Sequence, residues 1–135
     1  MLDAKRYLAI VRASAAYDLV VTLPFVTPWT FGLAAALLGW VDAGLNLPGV
    51  APVPDMATVL FANLMGSVVV VWSVARLHLG LAVLGRHDGV ARLLFATWQI
   101  NALLNGMSWA ILPLLVIEIG FAIAQFLPVR GAERR

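Results

Sequence analysis

The sequence of 135 residues is 62% hydrophobic and 12% charged, whereas about a quarter of the residues in an ordinary soluble domain are charged. This composition predicts an integral membrane protein with one transmembrane domain over residues 1–135 and almost nothing left over for a soluble domain. A net charge of +2 gives no indication of a nucleic-acid partner, and the absence of cysteine excludes disulfides, thiolate metal ligands and thiol catalysis.

The first segment has a helical pattern over about residues 3–24, where Pro24 breaks it. Its basic start followed by apolar residues is similar to a signal peptide. Arg12 and Asp18 interrupt the apolar region, however, and no small-residue cleavage site is well placed. We therefore expect this segment to be retained as the first transmembrane helix.

A second, shorter helix is predicted over about residues 28–43. Thr27 followed by Pro28 is a typical helix start, because threonine can cap the helix and a proline at the first helical position loses no hydrogen bond. The proline-rich stretch from Asn46 to Asp55 is the clearest loop in the sequence.

The longest apolar run without a charged residue extends from Met56 to Ala75. Its length as a helix is about 30 Å, which matches the hydrocarbon core of a bilayer. We predict a transmembrane helix over about residues 56–80 that ends near Gly80 or Gly85.

Residues 85–92, GRHDGVAR, are predicted to form a charged connector. Within it, Asp88 and Arg92 can pair at i,i+4 if the next helix has already begun.

The apolar stretch that follows the connector is about twice as long as a bilayer is thick, so it must fold back. Asn105 and Gly106 form the predicted turn, and Ser108 is a candidate cap for the last helix. These features predict helices over about residues 90–104 and 108–128. The expected fold is an all-α, integral membrane four-helix bundle with a short extra helix after the first transmembrane helix.

The basic residues predict the orientation. If the first 44 residues cross once and three more helices follow, all nine lie at or near one side of the membrane, and the positive-inside rule makes that side the cytoplasm. They are Lys5, Arg6, Arg12, Arg76, Arg86, Arg92, Arg130, Arg134 and Arg135. The sequence thus predicts a multi-pass protein of a bacterial-type inner membrane with cytoplasmic N- and C-termini, in which residues 28–43 do not span.

Two acids are expected at the depth of the bilayer centre. Asp18 lies about 16 Å beyond Tyr7 along the first helix, and Glu118 lies near the middle of the last helix. An unpaired carboxylate at that depth costs several kcal/mol, so each must be protonated, hydrogen-bonded or face a polar cavity. Either acid can be a structural group or a proton- or ligand-binding group, and the sequence leaves both readings open.

Each of the four long helices also carries a polar stripe that should face the bundle interior. The stripes are Tyr7, Ser14, Asp18 and Thr22; Asn63 and Ser67; Thr97, Asn101 and Asn105; and Glu118 with Gln125. From these and their neighbours, the candidate ligand- or proton-binding residues are Asp18, Glu118, Ser14, Ser67, Gln99 and Asn101. Interhelical contacts alone would also explain the stripes.

Two other residues are assigned ordinary structural roles. Arg76, near the inner end of its helix, is expected to extend to the lipid headgroups, with pairing to an acid as an alternative. Pro113 is expected to kink the last helix.

No enzyme, metal or cofactor motif is present. The sequence has no nucleophile elbow, phosphate loop, metalloprotease or dinucleotide signature, so we do not expect an enzyme. His78, His87 and Asp88 give only a weak metal signal, which is better explained by a solvated connector, and no cofactor is indicated.

Three functions are compatible with these features. The first is a membrane protein that binds a lipophilic ligand in a polar pocket around Asp18 and Glu118, as an accessory component beside a larger partner. The second is a minimal proton-coupled transporter that works as a homo-oligomer. The third is a structural subunit that presents a small-residue helix face around Gly120 to a partner.

Overall fold

The computed structural model describes residues 1–129, and the regular structure in that range is helical, which confirms the all-α prediction. Five α-helices follow in chain order: α1 (Ala4–Thr22), α2 (Pro28–Leu45), α3 (Met56–Leu79), α4 (Ala82–Leu104) and α5 (Leu112–Phe126). Two 3-10 segments, Leu23–Val26 and Trp109–Ile111, extend α1 at its end and precede α5.

Three helical stretches within residues 1–129 are long and apolar enough to cross a membrane: Ala4–Val26, Met56–Leu79 and Trp109–Phe126. The chain is thus a multi-pass membrane protein. Helix α4 has 23 residues, which gives it a length of about 35 Å, but its first half carries charged residues that lower its hydropathy.

Several helix ends confirm the capping predictions. The Thr27 hydroxyl accepts a hydrogen bond from the backbone N–H of Thr30 at 3.2 Å, and Pro28 occupies the first turn of α2. Helix α3 ends at Gly80, whose φ of 60° is the left-handed conformation that glycine adopts without strain. The predicted turn at Asn105–Gly106 is present, with Gly106 at φ 91°.

The predicted connector over residues 85–92 is wrong. Helix α4 begins at Ala82 rather than near residue 90, so the charged segment is helical. Gly85 and Gly89 suggested a break, but a Cβ atom at Gly85 would lie 2.5 Å from the Val11 side chain, and one at Gly89 would lie 2.9 Å from Phe126. These glycines therefore allow close helix packing instead of ending the helix.

Two smaller predictions also need correction. Helix α2 has 18 residues and α5 has 15, so the extra helix is not the short one. Pro113 stands in the first turn of α5, directly after the Trp109–Ile111 segment, where a missing N–H breaks no helical hydrogen bond. It starts this helix and does not kink it. Ser108 caps the 3-10 segment, accepting from the N–H of Ala110 at 3.1 Å.

Helix α1 lies at the centre of the packing and contacts α3, α4 and α5. Helices α4 and α5 form a closely packed hairpin, whereas α3 and α4 make little direct contact with each other. Helix α2 packs on α3 and on the Leu23–Val26 segment. This arrangement leaves a gap between α3 and α4, and α1 bridges the gap because it contacts both helices.

Backbone hydrogen bonds join the chain at both ends of the bundle. At one end, the N–H of Leu2 donates to the carbonyl of Pro128 at 2.9 Å, so the two ends of the described chain lie together. At the other end, Val50 donates to Gly106 at 2.9 Å, and Ser108 donates back to Val50 at 3.0 Å. These bonds join the loop of residues 46–55 to the turn of residues 105–108, and we call the two segments together the loop lid.

Candidate functional site: a buried ion cluster beside an apolar pocket

The buried face of α1 supplies the first part of the site. Three members of the predicted polar stripe, Tyr7, Ser14 and Asp18, are buried together with Val11, whereas the fourth member, Thr22, is half-buried. The Tyr7 hydroxyl donates to the backbone carbonyl of Gln125 at 2.8 Å, which ties the start of α1 to the end of α5.

Asp18 is held by two arginines from two other helices. Nη2 of Arg76 on α3 lies 2.5 Å from its Oδ2, and Nη2 of Arg92 on α4 lies 2.7 Å from the same atom. Neither guanidinium is accessible to solvent beyond about 2% of its side chain. One carboxylate therefore joins three helices through charge-assisted hydrogen bonds.

Asp88 on α4 is the second centre of the cluster. It is 2% exposed, and its carboxylate has five partners within 3.1 Å: Arg76, Arg92, Gln125, Ser14 and the indole N–H of Trp72. This carboxylate joins α1, α3 and α5 to α4. The predicted i,i+4 pair between Asp88 and Arg92 is present, with Nε and Oδ2 3.1 Å apart, although it is buried.

Glu118 on α5 completes the cluster. Its Oε2 accepts from Nη1 of Arg92 at 2.8 Å, and the residue is 8% exposed. Arg92 is thus shared by Asp18, Asp88 and Glu118. We call these five charged residues, Asp18, Arg76, Asp88, Arg92 and Glu118, the ion cluster.

Arg76 does not extend to the headgroups, so that prediction is wrong and the alternative of pairing with an acid is correct. The residue is 0% exposed, because Asp18, Asp88 and the Ser14 hydroxyl offer its guanidinium acceptors inside the bundle. The positive charge of Arg76 is thus compensated by acids inside the bundle and not by lipid headgroups.

A pocket of about 460 Å³ adjoins the cluster in the gap between α3 and α4. Asp18, Glu118 and Met107 from the loop lid contribute to its wall. The remaining lining is largely aromatic and aliphatic: Tyr17, Val21, Thr22, Phe25, Met65, Val69, Phe95, Trp98, Gln99, Ala102, Ile111 and Leu114. Two of these lining residues, Met65 and Trp98, are 41% and 65% exposed. The pocket therefore opens on the outer surface of the bundle.

The structure separates the six candidate site residues into two groups. Asp18, Glu118 and Ser14 lie in or on the ion cluster, and Gln99 lines the pocket. Ser67 and Asn101 are exposed and lie apart from both; Ser67 donates to the carbonyl of Asn63 in its own helix at 2.7 Å.

The polar stripe predicted to face inward on α4 does not do so. Thr97, Asn101 and Asn105 are all exposed. The side chains of Thr97 and Asn105 each donate a hydrogen bond of 2.8 Å to a backbone carbonyl of the preceding turn. They therefore need no partner from another helix.

Sequence reasoning did not assign Arg76, Asp88, Arg92 or Gln125 to the site. One signal was available for α4: its small residues Gly85, Gly89 and Ala96 fall on one helical face together with Arg92. Small residues at such spacing indicate close helix packing, so an arginine among them is buried and must have acidic partners.

Within residues 1–129, no three His, Cys, Asp or Glu side chains converge in a way that would hold a metal ion. Asp88 belongs to the ion cluster, while the Nδ1 of His87 lies 3.0 Å from the carbonyl of Val83. Comparison with protein-family models, curated proteins and solved structures found no match to this chain.

Proposed function

We propose that this chain is a four-crossing membrane protein that binds a lipophilic small molecule in the pocket between α3 and α4, as a ligand-binding component beside a larger partner. The observation that carries the proposal is the pocket itself. Its volume of about 460 Å³ falls in the range of small-molecule sites, about 300 to 1,000 Å³. A predominantly apolar lining favours an apolar occupant.

The two joined ends support an even number of crossings. Leu2 and Pro128 are hydrogen-bonded to each other, so a chain that spans the bilayer with both ends on one side would return to the side on which it began. Three stretches are apolar enough to cross, and α4 supports a fourth crossing because it is long enough and keeps Asp88 and Arg92 inside the bundle. In this arrangement, helix α2 packs against α3 and does not span the membrane.

The charge distribution supports a cytoplasmic location for the joined ends, Leu2 and Pro128. Lys5, Arg6, His78 and Arg86 all lie at that end of the bundle, whereas Asp42 and Asp55 flank the loop lid. The positive-inside rule then orients the Leu2 and Pro128 end toward the cytoplasm of a bacterial-type inner membrane.

The pocket is placed to receive a ligand from the bilayer. The exposed Met65 and Trp98 lie within the apolar parts of α3 and α4, away from the charged residues of both helices. A molecule dissolved in the lipid would reach the opening without passing through water, and burial of its apolar surface would stabilise the complex.

The test is native mass spectrometry of the protein extracted from its own membrane in lipid nanodiscs. Wild-type protein should carry a lipophilic small molecule that Ala102→Phe lacks, because a phenyl ring at position 102 fills the pocket. Ala16→Phe places the same ring on an exposed part of α1 and should retain the molecule. Equal retention by both variants would contradict the proposal. The same spectra report copy number and any co-purified partner.

A proton-coupled transporter is the second candidate. It is favoured by the position of Glu118, which contacts both the ion cluster and the pocket, so that a proton and a substrate could compete for one carboxyl group. In proteoliposomes, this function predicts pH-driven uptake of the identified ligand that Glu118→Gln abolishes. Normal uptake by that variant would remove this candidate.

A further inference from the structure

The ion cluster contains more acids than bases. Arg76 and Arg92 supply two positive charges, and the three carboxyl groups of Asp18, Asp88 and Glu118 face them. The nearest other cation along α4, Arg86, is half-buried and donates to the carbonyls of Phe126 and Leu127 at 3.2 Å. With all groups ionised, the cluster thus carries one uncompensated negative charge.

The uncompensated charge is best assigned to Glu118. Asp18 and Asp88 each contact both arginines, whereas Glu118 contacts only Arg92, through Oε2. Its second oxygen, Oε1, has no hydrogen bond to any residue in the range 1–129. Glu118 is also part of the pocket wall, and it is 8% exposed. A carboxylate oxygen that has no partner in residues 1–129 and is not fully buried therefore borders the pocket.

Two further polar atoms on the pocket wall have no partner among residues 1–129. They are the hydroxyl of Tyr17 and Oε1 of Gln99, and both atoms are buried. A buried polar atom without a hydrogen bond costs free energy, so native proteins rarely keep several together. A ligand whose polar end donates hydrogen bonds would satisfy Glu118 and Gln99.

The rest of the pocket suits the body of such a ligand. Phe25, Phe95 and Trp98 contribute aromatic rings to the pocket wall, to which Asp18 and Glu118 also belong. Aromatic rings attract a positive charge and also pack well against apolar groups. Both ends of one amphipathic cation would be accommodated.

We propose that the ligand is a lipophilic monocation, such as a protonated amine on an apolar body, whose charged end pairs with Glu118 and contacts Gln99. This inference rests on the proposed pocket function and specifies its ligand class. The cation would bring the charge of the site to zero, and its N–H groups would supply the missing donors.

The test compares three probes with the same body and different polar ends: 4-phenylbutylamine, 4-phenylbutan-1-ol and 4-phenylbutyrate. Binding is measured at pH 7 by equilibrium dialysis against nanodiscs of phosphatidylcholine that contain the protein. Empty nanodiscs of the same lipid give the membrane partitioning to be subtracted. We expect the amine to bind about tenfold or more tightly than the alcohol, and the carboxylate to bind most weakly.

The variant Glu118→Gln isolates the charge. Glutamine keeps an oxygen for Arg92, so the amine should lose its advantage while the alcohol binds as before. If this variant does not fold, the ratio of amine to alcohol in the wild type decides the inference alone. Ala102→Phe should abolish the binding of all three probes, and Ala16→Phe should change none.

The outcomes separate this inference from the proposed function. If the alcohol binds as tightly as the amine, and Ala102→Phe still abolishes both, the ligand is not selected for positive charge and the pocket function stands. If all probes bind wild type and Ala102→Phe equally, the pocket does not bind them and both proposals are overturned.

Discussion

Arg76 and Asp18 are 58 positions apart in the chain, yet Nη2 and Oδ2 lie 2.5 Å apart inside the helix bundle. Removal of one member of a buried ion pair leaves the other charge uncompensated, which costs about 3 to 5 kcal/mol. This pair is therefore a sensitive measure of how far the ion cluster stabilises the fold.

Arg76→Met and Asp18→Asn should each lower the free energy of unfolding by about 3 to 5 kcal/mol. The double variant should lose less than the sum, because the two residues share one interaction. The measurement is unfolding in mixed micelles by titration with sodium dodecyl sulfate. Arg12→Met changes an exposed arginine of α1 and serves as the control. Additive losses in the double variant would show that the pair is not coupled.

Gly66→Ala should destabilise the protein by about 1 to 3 kcal/mol. A Cβ atom there would lie 2.6 Å from Cβ of Phe25 and 2.7 Å from its backbone carbon, so α3 and the Leu23–Val26 segment would have to separate. Gly120→Ala is the matched control, since a Cβ atom at that position meets nothing within 4 Å. The same unfolding titration compares them, and equal stabilities would contradict the close contact.

The two tyrosines of α1 should respond differently to loss of their hydroxyl groups. Tyr7→Phe removes the hydrogen bond to the carbonyl of Gln125 and should cost about 1 kcal/mol. Tyr17→Phe should leave the stability of the ligand-free protein unchanged or slightly raise it, because the Tyr17 hydroxyl has no partner among residues 1–129. A loss of stability in Tyr17→Phe as large as in Tyr7→Phe would contradict this contrast.

The proposed orientation can be tested with single cysteines, since the native chain has none. Val53→Cys in the loop lid should react with a membrane-impermeant maleimide in intact cells. His78→Cys, at the opposite end of the bundle, should react only after the membrane is permeabilised. Both native residues are exposed, so burial would not prevent labelling. Labelling of the two positions from the same side would contradict an odd number of crossings between them.

Asp55 should make α3 sensitive to acid. Its carboxylate accepts hydrogen bonds from the side chain and the backbone N–H of Thr58, and these bonds lower the pKa of Asp55 below its ordinary value of 3.8. A lowered pKa in the folded state means that the stabilisation is complete above pH 3.8 and is lost as the pH falls through the folded pKa. Asp55→Asn keeps a capping oxygen that does not titrate.

The thermal stabilities of wild type and Asp55→Asn, measured from pH 7 downward, provide the readout. Below pH 3.8, wild type should lose more stability than the variant. Parallel curves down to pH 2 would mean that the cap does not contribute through its charge.

The sequence predicted the helices best where they are apolar and bounded by clear signals. The start of α2 at Thr27 and Pro28, the end of α3 at Gly80 and the turn at Gly106 were all readable, because each depends on local backbone chemistry. The start of α4 could not be predicted, because glycines such as Gly85 and Gly89 are typical of loops as well as of close helix contacts. Only the side chains that pack against them distinguish the two cases.

The site was predicted in part for a similar reason. The depth of Asp18 and Glu118 along their helices marked them as groups that need partners. Their partners Arg76 and Arg92 suited a position at the headgroups, because Arg76 lies near the end of α3 and Arg92 lies near the start of the helix predicted over residues 90–104. Only the tertiary packing places both inside the bundle. Without that packing, charge near a helix end and charge in the interior cannot be distinguished.

The order of the ion pairs along the chain has a consequence for membrane insertion. Asp18 of α1 and Arg76 of α3 neutralise each other, and in the proposed topology these helices are the first two crossings to be synthesised; Asp88 and Arg92 neutralise each other within α4. Glu118 comes last, when Arg92 is already in place to receive it. The cumulative charge of the cluster residues therefore returns to zero after α3 and again after α4, and only the entry of Glu118 adds the one uncompensated negative charge of the ion cluster.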